Sequence, residues 1–148
     1  MTSDIAETSA PEPTKADYER LSAFRYVLGR FLAFSSAAAE ADGLTPQQHQ
    51  ALLAIKGYPG REEVTVGELA ERLGLRHHSA VGLIDRLVAR GLVRRRASKA
   101  DRRSVVIVLT PGAQAHLAGL SRAHRQELKR LSPTLMRLLN ELAAPEAD

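Results

Sequence analysis

Gly91–Leu109 reads GLVRRRASKADRRSVVIVL, and its charge pattern governs everything around it. The ten residues from Arg94 to Arg103 hold six Lys or Arg against a single acid, Asp101. Blocks of like charge are often solvated tails, but apolar runs on both sides, Gly91 to Val93 and Val105 to Leu109, exclude that reading here. Val105, Ile107 and Leu109 alternate onto one face, which predicts a strand over Ser104 to Leu109 paired with a second strand over Leu92 to Arg96. The basic segment is then the tip of a hairpin.

Two short helices are expected just before it. Thr65, with Glu68 three residues on, forms a capping box that opens a helix carrying Leu69, Ala70 and Leu73 and stopping at Gly74. Its successor runs from about His77 to Arg90 and stops at Gly91. Two helices separated by Gly74-Leu75 have helix-turn-helix spacing. Helix, turn, helix and a charged hairpin make a winged helix. On the second helix Ala80, Val81, Ile84, Leu87 and Val88 fall within an arc of about 120°, while His78, Ser79, Gly82, Asp85, Arg86 and Ala89 lie opposite. A recognition helix needs that division: one face packs on its neighbour and the other enters the major groove.

The rest of the chain reads as a helical frame. Residues 1–16, rich in Thr, Ser, Pro, Glu and Ala, are expected to be a disordered arm. From Asp17 to about Ala41, Leu21, Phe24, Leu28, Phe31, Leu32 and Ala38 recur at helical spacing, a helix of roughly 37 Å. Thr45-Pro46, Thr110-Pro111 and Ser132-Pro133 each pair a capping hydroxyl with a proline at the first helical position, predicting helices near 46–57, 111–131 and 133–143. Leu117, Leu120, His124, Leu128 and Leu131, then Leu135, Leu138, Leu139 and Leu142, form faces that one subunit of 148 residues can hardly cover. The fold class expected is mainly α with a small β-hairpin.

Charge and composition narrow the function. The net charge is +4, yet the chain up to Arg20 has two basic and five acidic residues. Positive charge is thus concentrated on the hairpin, as in a nucleic-acid footprint. Arg94, Arg95, Arg96, Lys99, Arg102 and Arg103 can neutralise phosphates. Arg76, His77, His78, Ser79, Gly82 and Arg86 stand where a recognition helix meets DNA. Asp101 has two readings: an ion pair that holds Arg103, or a turn-forming aspartate. Gly82 also has two: close approach to the groove, or a glycine tolerated on a solvated surface.

With no cysteine, disulfides, thiolate metal sites and cysteine redox chemistry are excluded. No phosphate-binding glycine loop, GxSxG elbow or HExxH is present, so no enzyme is expected. The histidines lack ligand spacing, and neither a metal nor another cofactor is called for. Nothing marks the chain for export or membrane insertion, and a cytoplasmic protein is the expectation.

The segments LTPQQHQALLAI, TVGELAERLGL, VGLIDRLVARGLV and DRRSVVIVLTPG resemble the MarR family of bacterial transcription regulators, from about Leu44 to Gly112. Asp101-Arg102-Arg103 matches the family's D-x-R wing motif, in which the arginine reaches DNA and the aspartate supports it. Arg76, His77 and His78 depart from the serine cap and arginine that often open the recognition helix, and Gly82 replaces a long polar side chain. The resemblance implies an obligate homodimer on double-stranded DNA, with 17–43 and 111–148 as dimerisation helices, 44–110 as the DNA-binding lobe and 17–148 as one domain. It further implies a repressor on a pseudo-palindromic operator, released by a small aromatic or lipophilic effector, with Phe24, Phe31, His49 and Tyr58 on segments that can line the pocket. The alternative is a winged-helix module used only for protein contacts, which leaves the charged wing unexplained.

Overall fold

The computed structural model describes residues 10–145. The elements run α1 (Lys15–Ala41), α2 (Pro46–Lys56), β1 (Glu63–Val64), α3 (Val66–Leu73), α4 (His77–Ala89), β2 (Val93–Ala97), β3 (Val105–Leu109) and α5 (Pro111–Ala143). Most of the expected arm, residues 1–9, lies outside the described residues. Its end does not: α1 begins at Lys15, two residues earlier than expected, because Thr14 and Asp17 form a reciprocal capping box. Thr45 with Gln48 and Thr65 with Glu68 do the same for α2 and α3. Gly74 and Gly91 follow α3 and α4 at φ of 63° and 69°, in the left-handed region where a side chain is strained.

Three of the expected elements are corrected. The hairpin is part of a three-stranded antiparallel sheet ordered β1-β3-β2, since Glu63 and Val64 pair with Val108 and Ile107. A two-residue strand carries no alternation from which to be read. Ser132-Pro133 starts no helix, because α5 runs on through Pro133. A proline there deprives the Lys129 carbonyl of its donor and costs about 3 kcal/mol, but buried Leu131 and Leu138 on either side keep the chain in one helix. On α4 the buried face is Ala80, Leu83, Ile84 and Leu87, whereas Val81 is half-buried and Val88 is 38% exposed. That set follows i, i+3, i+4, i+7, and its centre is fixed by what the helix packs against rather than by the mean direction of all its apolar residues.

Leu52, Ile55, Val64, Leu69, Leu83, Ile84, Leu87, Val93 and Ile107 form the heart of the core, joining α2, α3 and α4 to the sheet. Thr110 ties the hairpin to α5: its hydroxyl donates to the Gly91 carbonyl at 2.7 Å and accepts from the Ala113 N–H, and its own N–H donates to the Leu92 carbonyl. Helices α1 and α5 pack antiparallel, as Arg20–Glu141 at one end, Ser35–His124 in the middle and Asp42–His116 at the other end mark out. Leu117, Leu120, Leu131 and Leu138 are buried within this subunit and need no partner to cover them. The apolar residues left exposed are Tyr18, Leu21, Tyr26, Leu28 and Leu32 on α1 and Leu128, Met136 and Leu139 on α5.

Candidate nucleic-acid interface and adjoining cavity

Burial of Ala80, Leu83, Ile84 and Leu87 turns the other side of α4 outward, so His77, His78, Ser79, Asp85 and Arg86 are exposed. Arg76 is the N-cap residue and makes no side-chain capping bond. The first-turn N–H groups are therefore open, and the helix end can receive a phosphate. Gly82 is half-buried, and the nearest atom to a Cβ built there is Arg86 Nη1 at 3.4 Å.

The six wing cations do not share one role. Arg95 pairs with Asp85 of α4, and Arg96 with Glu63 of β1 at 2.8 Å. These neighbouring residues point to opposite faces of β2 and tie the hairpin to the recognition helix on one side and to the sheet edge on the other. Arg94, Lys99, Arg102 and Arg103 have no acidic partner among the described residues, and all four are exposed. Sequence reasoning missed Asp85 and Glu63 as holders of these arginines, and no spacing in the chain signals either pair.

For Asp101 the geometry decides between the two readings. Its carboxylate forms no ion pair with Arg103; it accepts the Arg103 backbone N–H at 3.0 Å and the Ser104 hydroxyl at 3.3 Å. The turn-forming reading is the one the geometry supports. Buried Ser98 completes the turn, accepting from the Ala100 and Asp101 N–H groups while its own N–H donates to the Ser104 carbonyl. The wing tip is thus internally bonded, and Asp101 acts on the course of the backbone at Arg103 rather than on its guanidinium.

Behind this surface, where α1, α2 and α5 meet, lies a cavity of about 670 Å³, within the roughly 300–1,000 Å³ of small-molecule sites. Phe31 and His49 line it; the other two expected residues do not. Phe24 lies two turns before Phe31 on α1. Tyr58 is drawn to the far end of α2, where its ring lies 4.5 Å from the Arg61 guanidinium and 5.0 Å from that of Arg72. A hydrogen bond to Glu68, with burial, raises the Tyr58 pKa. Glu68 itself is pushed up by burial, yet hydrogen bonds from the Thr65 N–H, Tyr58, the Thr65 hydroxyl and Arg61 outweigh this and bring it to about 2. The lining that sequence reasoning overlooked comes mainly from α5 and includes His124, Arg125, Lys129 and Leu135.

The His124 ring stands edge-on to Phe31 and Phe34 and 4.9 Å from the ring of His49. Its Nδ1–H donates to the Leu120 carbonyl at 2.7 Å, and Nε2 lies 2.7 Å from the Ser35 hydroxyl. His49 is 4% exposed and makes no side-chain hydrogen bond among the described residues. Burial first, and His124 second, hold its pKa below the ordinary histidine value.

A family model for MarR regulators matches residues 42–104. The HTH-type transcriptional regulator YcgE of Bacillus subtilis (strain 168) is 34% identical over 126 residues, which are 84% of this chain and 75% of that protein. The chain belongs to the MarR family. The fold agrees: a MarR family protein from Bacillus stearothermophilus superposes with a TM-score of 0.72 at 20% identity, over 89% of this chain and 96% of that one. CouR from Rhodococcus jostii RHA1, solved bound to p-coumaroyl-CoA, superposes at 0.62 with 23% identity, over 84% and 91% of the two chains. As a MarR family member the chain is a DNA-binding winged helix-turn-helix transcription regulator and not an enzyme. No described helix is long and apolar enough to cross a membrane.

Proposed function

We propose that the chain works as a homodimeric repressor, seated on a pseudo-palindromic operator and released from it by a small aromatic or lipophilic effector. The observation that carries the DNA reading is the juxtaposition of an outward α4 face with four wing cations that are unpaired among the described residues, all on one lobe. The α4 face, from Arg76 to Arg86, is assigned to the major groove, and Arg94, Lys99, Arg102 and Arg103 to the phosphates and minor groove beyond it. The dimer reading rests on the exposed apolar residues of α1 and α5, for which a second copy offers a self-complementary cover. The effector reading rests on the cavity, which lies between the α1/α5 frame and α2 of the DNA-binding lobe. A ligand there can shift the lobe against the frame. CouR, a neighbour in fold, is the protein solved with p-coumaroyl-CoA.

The test is genomic footprinting of the bound sites, followed by sedimentation of the protein alone and with a recovered duplex. One dimer per inverted repeat is expected. A monomer at micromolar concentration, or binding with no recurring sequence, would overturn the proposal.

A further inference from the structure

The cavity at the junction of α1, α2 and α5 has an unusual electrostatic make-up. Helix α1 offers it only Phe31 and, behind His124, Phe34 and Ser35, none of them ionisable. Helix α2 offers His49 and Leu53. Helix α5 offers His124, Arg125 and Lys129 among apolar side chains and two serines. Every titratable or charged group in the lining is basic, and no Asp or Glu is among them. His124 has both ring nitrogens engaged, one by the Leu120 carbonyl and one by Ser35, whereas His49, almost fully buried, has neither nitrogen bonded among the described residues.

We propose that the cavity takes an organic anion together with a proton, the proton being held by His49. This rests on the reading of the cavity as the effector site and adds to it the coupling of ligand binding to a proton. A proton on His49 faces burial first and then a second imidazole 4.9 Å away, so the neutral ring is favoured. An anion at van der Waals distance reverses that balance and gives an imidazolium N–H an acceptor.

The sign follows from linkage. Ligand-free His49 has its proton affinity lowered and an anion beside it raises that affinity, so binding takes up a proton. Affinity then rises as pH falls through the bound-state value, by at most about tenfold per pH unit, and levels off below the free-state value.

Anilinonaphthalene sulfonate is a suitable probe, being apolar, fluorescent and ionised throughout the range. Its affinity for the full chain is measured between about pH 8.5 and 5.5, on either side of the histidine range, with circular dichroism at each pH to verify the fold. Calorimetry at neutral pH in phosphate and in Tris counts the protons taken up. Expected are tighter binding at the acid end, by about tenfold, and a heat that depends on the buffer. His49→Gln should bind with a flat pH profile, and Leu135→Trp, which fills the cavity, should not bind. The parent protein alone decides the matter if His49→Gln does not fold. Binding that is lost in Leu135→Trp but is independent of pH and buffer overturns the proton coupling and leaves the cavity as an effector site. No binding, or binding indifferent to Leu135→Trp, removes the site and the proposal together.

Discussion

Arg96→Gln and Arg102→Gln remove the same formal charge from the wing, yet only the second should change how DNA binding responds to salt. Arg96 is held by Glu63 at 2.8 Å and Arg95 by Asp85, whereas Arg94, Lys99, Arg102 and Arg103 are unpaired among the described residues. Each phosphate neutralised contributes about −0.9 to the slope of log K against log salt. Four free cations per lobe therefore give a wing contribution of about −7 for a two-lobed assembly, against about −11 if all six were available. Arg102→Gln on both lobes should make the slope shallower by about 2. Arg96→Gln should leave the slope alone and act on stability instead, by about 1 kcal/mol or less for a pair so near the surface. The assay is fluorescence anisotropy on a duplex enriched by the parent protein from a random library, over about 50 to 200 mM salt. Equal changes in slope for the two variants would refute the division of the wing into struts and contacts.

Asp101→Ala deletes the acceptor for the Arg103 N–H and the Ser104 hydroxyl, so it should weaken DNA binding even though it removes a negative charge from the DNA side; tighter binding would mean that plain electrostatics outweighs wing shape. Gly82→Ala meets only the flexible end of Arg86 at 3.4 Å and should stabilise the fold by about 0.5–1 kcal/mol in thermal melting. If the groove needs close approach at this point, the same variant loses affinity for the enriched duplex but not for unrelated DNA, and equal affinity for the enriched duplex would dismiss that role. Glu68 is lowered from 4.5 to about 2, so its contribution to stability is complete above pH 4.5 and is lost as pH falls toward 2. Urea titrations at several pH values should give Glu68→Gln a flatter acid limb, and an unchanged limb would show that its bonds to Thr65, Tyr58 and Arg61 do not bias folding.

What the sequence determined by itself is whatever acts within about a turn of helix or along one strand. Thr45 with Gln48 and Thr65 with Glu68 cap their helices because donor and acceptor are three residues apart, and Gly91 can end its helix because its own φ is free. The alternation in Val105–Leu109 and the crowding of Lys and Arg before it are likewise local, and with the helix-turn-helix spacing they suffice for the winged helix. The capping signal at Ser132-Pro133 was equally local and was overruled: α5 runs on through it, with Leu131 and Leu138 buried on either side. Tertiary structure alone decided which residues meet across long separations. Glu63 reaches Arg96 and pairs β1 with β3, Asp85 reaches Arg95, and His124 comes to rest between Phe31, Phe34 and His49. Each of those contacts depends on the angle at which two packed elements cross, a quantity set by the shape of the whole core and encoded in no short stretch of the chain.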